Sequence, residues 1–186
     1  MPTILTHAFV SAAFGQVGKP EWRREPRFWI AAAICAMLPD IDVIGFSFGI
    51  RYGDLLGHRG LTHSLAFAAV TALFATIIIG RGMPKKWLMW LLLFIITASH
   101  GALDAMTNGG VGVAFLSPYD THRYFLPWRP IRVSPIGIEG FFTERGVNVI
   151  KSEFVWVWLT TIALMAIIWL ARRPLVKSAR RGAERR

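Results

Sequence analysis

The sequence predicts an all-α fold: a polytopic membrane bundle of about five helical segments with one long structured extracytoplasmic loop. Three observations carry that reading. Of the 186 residues, 54% are apolar and 17% charged, whereas soluble domains average about 45–50% and about 25%. Segments 61–80 and 154–171 contain no Asp, Glu, Lys or Arg, over roughly the 20 residues that cross a bilayer. Basic residues gather at the ends of apolar runs rather than along a single face.

Each element follows from its own residues. Segment 3–18 is short and rich in Ala and Phe, so it either spans at a tilt or re-enters. It has no basic residue ahead of the apolar run, which makes it a poor cleavable signal. Segment 28–49 is interrupted by Pro39, which cannot donate a backbone hydrogen bond. Asp40 and Asp42 follow the break, and non-helical backbone is expected there, tolerated because it lines a polar cavity. Segment 61–80 is preceded by Gly57 and Gly60, which place His58 in a turn and His63 in the first helical turn. Segment 87–106 is apolar until its far end, where His100 and Asp104 lie. Segment 154–171 is apolar throughout. Between the last two, residues 107–153 show no sustained helical period but are rich in Gly, Pro and aromatics. A loop of that length and composition reads as a structured lid. Residues 1–171 thus form one membrane-embedded domain carrying the loop 107–153, and 172–186 a basic cytoplasmic tail.

Charge orients the bundle. The formal net charge is +10, but its placement argues against nucleic acid and for anionic headgroups. Four Lys/Arg lie in 19–27, three in 81–86 and seven in 172–186, against seven elsewhere. With the clusters inside, the N-terminus faces out and the C-terminus faces the cytoplasm. His7, Asp40, Asp42, His58, His63, His100 and Asp104 then fall toward the outer face, although Lys and Arg alone set the orientation. The single Cys35 excludes an internal disulfide and a cysteine-based zinc site.

Ionisable side chains at membrane depth are costly and mark function. His100 and Asp104, four apart on a helix, point the same way and can grip one ion. Imidazoles and carboxylates without thiolate suit Zn²⁺, Mn²⁺ or Fe²⁺. The candidate ligands are His7, Asp40, Asp42, His58, His63, His100 and Asp104, with Glu153 as a further acidic one, more than one tetrahedral ion needs. Two zinc ions sharing a carboxylate, as in many phosphoester hydrolases, are expected. Asp40 and Asp42 are also the candidate acid–base residues. Arg59, Arg123, Arg129 and Arg132 offer planar forks for phosphate. The bland alternatives are a helix–helix hydrogen bond for His7, helix capping for the two Asp, and headgroup anchoring for the arginines. Asp120 and His122 read as loop residues.

The ordered set LPDID, HRGLTHS, SHGALDAMTNGG and FLPWRPIRV, with the N-terminal His7, resembles the YdjM-like family of inner-membrane metal-dependent hydrolases, linked in some members to LexA regulation. The resemblance covers most of residues 1–153. Through it the chain is distantly similar to zinc-dependent phospholipase C, whose helix-borne His and Asp residues hold zinc ions. By that similarity Asp42, His63 or His58, His100 and Asp104 match ligands of paired zinc ions, His7 an N-terminal histidine ligand, and Glu153 a late acidic one. The chain lacks that enzyme's N-terminal Trp ligand and later histidine pair, so a two-metal site is the expectation.

The function so implied is hydrolysis of a phosphoester in a phospholipid or lipid-linked substrate at the outer face of the cytoplasmic membrane. The rival is a non-catalytic metal-binding protein or transporter, which would need polar residues deep in the spans; 154–171 offers two threonines. No HExxH motif supports a protease.

Overall fold

A computed structural model describes residues 1–135 and 139–170; the basic tail 172–186 lies outside the described residues. The fold is helical, with isolated bridges and no strand among the described residues. Five principal helices are labelled α1 (Ile4–Gly15), α2 (Pro26–Met37), α3 (Leu65–Ile79), α4 (Lys86–Ala105) and α5 (Glu144–Leu170).

Local chemistry sets their ends. Thr3 caps α1, its hydroxyl accepting from Thr6 N at 3.3 Å. Pro26 occupies the first turn of α2, where no backbone donor is lost. Ser64 caps α3 by accepting from Phe67 N at 3.1 Å. Past Pro39 the chain keeps turning as a 3₁₀ helix, Leu38–Phe48, and stops at Gly49, whose φ of 76° is left-handed. The expected break in regular backbone is therefore a change of helix type, and an 11-residue 3₁₀ run is long for that conformation.

Three helices are long and apolar enough to cross a membrane: Pro26–Phe48, Lys86–Ala105 and Glu144–Leu170. Segments 3–18 and 61–80 form helices of 12 and 15 residues, about 18 and 22 Å at 1.5 Å per residue, short of a hydrocarbon core of about 30 Å. The last helix begins ten residues before the expected 154, at Glu144. Its polar first part hid it: Gly146, Val149 and Glu153 are buried along one face, while Arg145 and Lys151 face out. A π-turn at Phe154–Trp158 joins this part to the apolar remainder.

One core packs α2, α3 and α4 around Phe28, Ala32, Ala72, Met89, Leu93 and Ile96. Gly15 lets α1 approach α2, since a Cβ there would lie 2.5 Å from the Trp29 ring. Outward-facing Ile34, Phe74, Ile77, Ile78, Leu164 and Ile167 remain exposed, as on helices that face lipid. Cys35 is buried in the apolar run.

Residues 107–135 fold over one end of this bundle as a lid. Val113 and Tyr124 exchange both backbone hydrogen bonds at 2.9 Å, Asn108 N donates to Ile131 O, and Leu126 N donates to Ala105 O at the end of α4. The start of α1, the 3₁₀ run, the turn before α3, the end of α4 and Glu153 of α5 all meet beneath it.

Candidate metal centre

The buried stripe of α4 runs Met89, Leu93, Ile96, Thr97, His100, Gly101, Asp104, the helical spacing that turns an apolar face into a ligating one at its last turn. His100 Nδ1 lies 2.7 Å from Ala36 O. A carbonyl only accepts, so Nδ1 carries the proton and Nε2 presents its lone pair to the centre. Gly101 opens the space beside it, since a Cβ there would lie 2.9 Å from His63 O. His63 therefore closes onto α4 through a backbone contact that only glycine leaves room for.

Asp40 Oδ1 lies 3.2 Å from His100 Nε2 and 3.5 Å from His63 Nε2. His63 Nε2 is 3.3 Å from Asp104 Oδ2, and His7 Nε2 is 3.9 Å from Asp104 Oδ1. The His7 ring stacks on His100 with centroids 3.7 Å apart. One ligand atom from each of Asp40, His63, His100 and Asp104 falls within 4.8 Å of all the others. Both oxygens of Asp40, Oδ1 of Asp104, both ring nitrogens of His7, and Nε2 of His63 and of His100 are buried without a hydrogen-bond partner, and Asp104 Oδ2 has an ion pair with Arg59. Buried polar groups are nearly always satisfied, and unpaired ones call for an explanation such as an ion. The donor set fits a divalent cation of borderline hardness.

Asp42 and His58 sit differently. Together with His63 they form a second group of ligand-type atoms within 4.8 Å, but their atoms serve one another. Asp42 Oδ1 accepts from His58 Nδ1 at 2.7 Å; Oδ2 accepts from Thr62 Oγ1 at 2.7 Å and Arg59 N at 3.1 Å. His63 Nδ1 lies 3.1 Å from the same oxygen. A proton on Nδ1 directed at Asp42 leaves His63 Nε2 free for the centre. In the 3₁₀ run, residues two apart point about 120° from one another at three residues per turn, which sends Asp40 to the centre and Asp42 behind His63.

Glu153, although completely buried, accepts from Thr3 N and Thr3 Oγ1 at 2.6 Å and from Thr6 Oγ1 at 2.5 Å. It ties the first turn of α1 to α5 and thereby holds the strand of chain that carries His7.

The arginines divide as well. Arg59 is wholly buried, with its backbone at φ 65°. Its Nε pairs with Asp104 Oδ2 at 3.1 Å, Nη1 donates to Gly109 O and Nη2 to Thr107 Oγ1. Arg123 donates to the carbonyls of His58, Tyr52 and Asp54, locking the 51–60 turn under the lid. Burial lowers the pKa of Arg123 and raises that of Tyr52. Arg129 lies 4.7 Å over the Phe125 ring, and Arg132 borders a polar recess of about 450 Å³ with Asn108, Arg145 and Asn148. Asp120 and His122 bond to each other in the lid, Asp120 Oδ1 accepting from His122 N. Thr62, Gly101 and the Ala36 carbonyl were not singled out from the sequence. Thr62, adjacent to His63 in HRGLTHS, carried the nearest thing to a signal.

Fold and centre together define a helical membrane protein with a buried His/Asp cluster at one end of its bundle. The YdjM inner membrane protein family matches residues 1–175, and the chain belongs to that family. It is similar to Inner membrane protein YbcI of Escherichia coli (strain K12), with 44% identity over 175 residues, 93% of this chain and 100% of that protein. No solved structure matches it.

Proposed function

We propose that the protein is a metal-dependent hydrolase that cleaves a phosphoester of a phospholipid or lipid-linked substrate at the outer face of the cytoplasmic membrane. The observation that carries this reading is the convergence of unpaired buried atoms from His7, Asp40, His63, His100 and Asp104. Family membership and the inner-membrane relative agree with the setting. A divalent cation such as Zn²⁺ bound there supplies Lewis acidity toward water and toward a phosphoryl oxygen.

The chain's own residues do the rest. Asp42, with His58 and Thr62, holds His63 in one tautomer. Arg59 neutralises part of the charge of Asp104. Asp40 has the most exposed side chain of the ion pairs at the centre, at 8%, which supports a role for it in taking a proton from an incoming nucleophile. Arg129 and Arg132, exposed at the lid, remain free for a phosphate in a way Arg59 and Arg123 do not. The first ion belongs at the group Asp40, His63, His100 and Asp104. A second ion at Asp42, His58 and His63 would have to displace the hydrogen bonds those residues already make.

The near closure of the centre favours one rival, a metal-binding protein without turnover. Protein purified in detergent and loaded with Zn²⁺ or Mn²⁺ decides between them on phospholipid vesicles. Release of phosphate or of a phosphorylated headgroup, abolished by chelator and by His100→Ala or Asp104→Ala, is expected. Full turnover in either variant removes this site from consideration, and metal binding without release in the wild type leaves the rival.

A further inference from the structure

We infer that the apolar crevice between α1, α4 and α5 is an acyl-chain site, holding one chain of the lipid whose headgroup is presented to the His/Asp centre. This inference rests on the hydrolase reading and adds the part of the substrate that reading leaves without a binding site. The crevice has a volume of about 480 Å³, in the range of small-molecule sites. Its walls are Val10 and Phe14 on α1, Leu103 on α4 with Met106 just past its end, and Val157 and Leu164 on α5.

Register joins it to the centre. On α1, His7, Val10 and Phe14 recur at helical spacing, so the ligand heads the same stripe that lines the crevice. On α4, Ser99, Ala102 and Leu103 line the crevice, and His100 and Asp104 occupy the stripe beside them. From the level of Val10 and Met106 the crevice runs away from the lid along α5. Its lining there extends from Trp156 to Ile168, 12 helical steps or about 18 Å at 1.5 Å per residue. That is the depth of more than half a hydrocarbon core of about 30 Å.

Two further features fix the occupant. Trp128 of the lid and Trp156 of α5 both line the crevice at its lid end, edge to face with centroids 5.2 Å apart. Tryptophan at such a position marks the headgroup level of a bilayer, so the apolar length below it lies at acyl depth and the ligands beside it at headgroup depth. The lining includes the small residues Ala13, Ser99 and Ala102. A chain of linked methylenes fits such a slot by van der Waals packing, the contact that holds apolar groups together inside a bilayer.

The test places the protein in vesicles containing a phospholipid with a diazirine near the middle of one acyl chain. After irradiation, labelled peptides are mapped for the wild type, Ala102→Trp, Ala13→Phe from the opposite wall, and Val70→Trp on the outward face of α3. Labelling concentrated on crevice residues, reduced at least tenfold by Ala102→Trp and by Ala13→Phe but not by Val70→Trp, is expected. In parallel, both crevice variants should lose at least tenfold turnover on long-chain phospholipid. They should retain metal content and turnover on a dibutyryl analogue within twofold. Even labelling over all lipid-facing helices, or equal loss on both substrates, overturns the acyl-chain site. Crevice labelling in a protein that binds metal but hydrolyses neither substrate overturns the hydrolase reading and leaves the lipid site standing.

Discussion

Replacing Asp42 separates a ligand from a residue that positions one. Its Oδ2 faces Thr62 Oγ1 at 2.7 Å, Arg59 N at 3.1 Å and His63 Nδ1 at 3.1 Å, whereas Oδ1 faces His58 Nδ1 alone at 2.7 Å. In Asp42→Asn the amide oxygen takes the Oδ2 position, because three donors converge there. The amide nitrogen turns to His58, whose ring can switch tautomer to accept. Every contact survives, and what disappears is charge. A hydrogen bond to a charged group contributes about 1.5–3 kcal/mol and a neutral one about 0.5–1.5. His63 therefore loses about 1–1.5 kcal/mol of orientation, which at about 1.4 kcal/mol per decade weakens metal binding about tenfold. Asp42→Ala removes all four contacts and should approach 100-fold, the upper end for partners of metal ligands. Metal per chain by mass spectrometry, with affinity from competition against a chromophoric chelator, reads both quantities. Stoichiometry should stay constant while affinity falls. Loss of a whole metal equivalent in Asp42→Asn would show that Asp42 is itself a ligand and refute its role as the residue that positions His63.

Other outcomes follow from the same geometry. Gly101→Ala gains about 1 kcal/mol of helix propensity but brings a Cβ to 2.9 Å from His63 O, an overpacking that costs about 1–3 kcal/mol. Metal affinity should fall with little change in helix content by circular dichroism; unchanged affinity would mean that the His63 turn shifts without consequence. Glu153→Gln keeps the shape but leaves part of the Thr3 and Thr6 donor set unpaired, at about 1–3 kcal/mol for a buried group. Its Tm in detergent should drop with metal content retained, whereas metal loss at unchanged Tm would make Glu153 a ligand. Arg59→Lys keeps one charge but cannot reach Asp104, Gly109 and Thr107 together. Weaker metal binding and lower Tm are expected, and a protein indistinguishable from wild type in both would refute the tie to Asp104.

Fold class was legible because lipid exposure leaves a composition signal that no packing detail can erase. Uncharged runs at 61–80 and 154–171 and basic flanks report it directly. Lengths were less legible: 61–80 looks like a span, yet its first residues are spent on a 3₁₀ turn, Leu61–His63, and the helix starts at Leu65. The polar start of α5 was hidden because its buried face is only Gly146, Val149 and Glu153. Only docking against Thr3 and Thr6 makes that face worth burying.

What the sequence determined by itself is the inventory of the centre: histidines and aspartates costly at membrane depth, carried by separate segments, with no thiolate among them. What tertiary structure decided is the division of labour among them. Asp40 and Asp42 have the same chemistry and are two residues apart. One points at His63 and His100; the other is spent on His58, Thr62 and Arg59. Which carboxylate is left unpaired depends on donors 16 to 20 residues away and on a helix type that turns three residues per revolution. Spacing along the chain contains neither, because hydrogen-bond partners are set by where the backbone comes to rest.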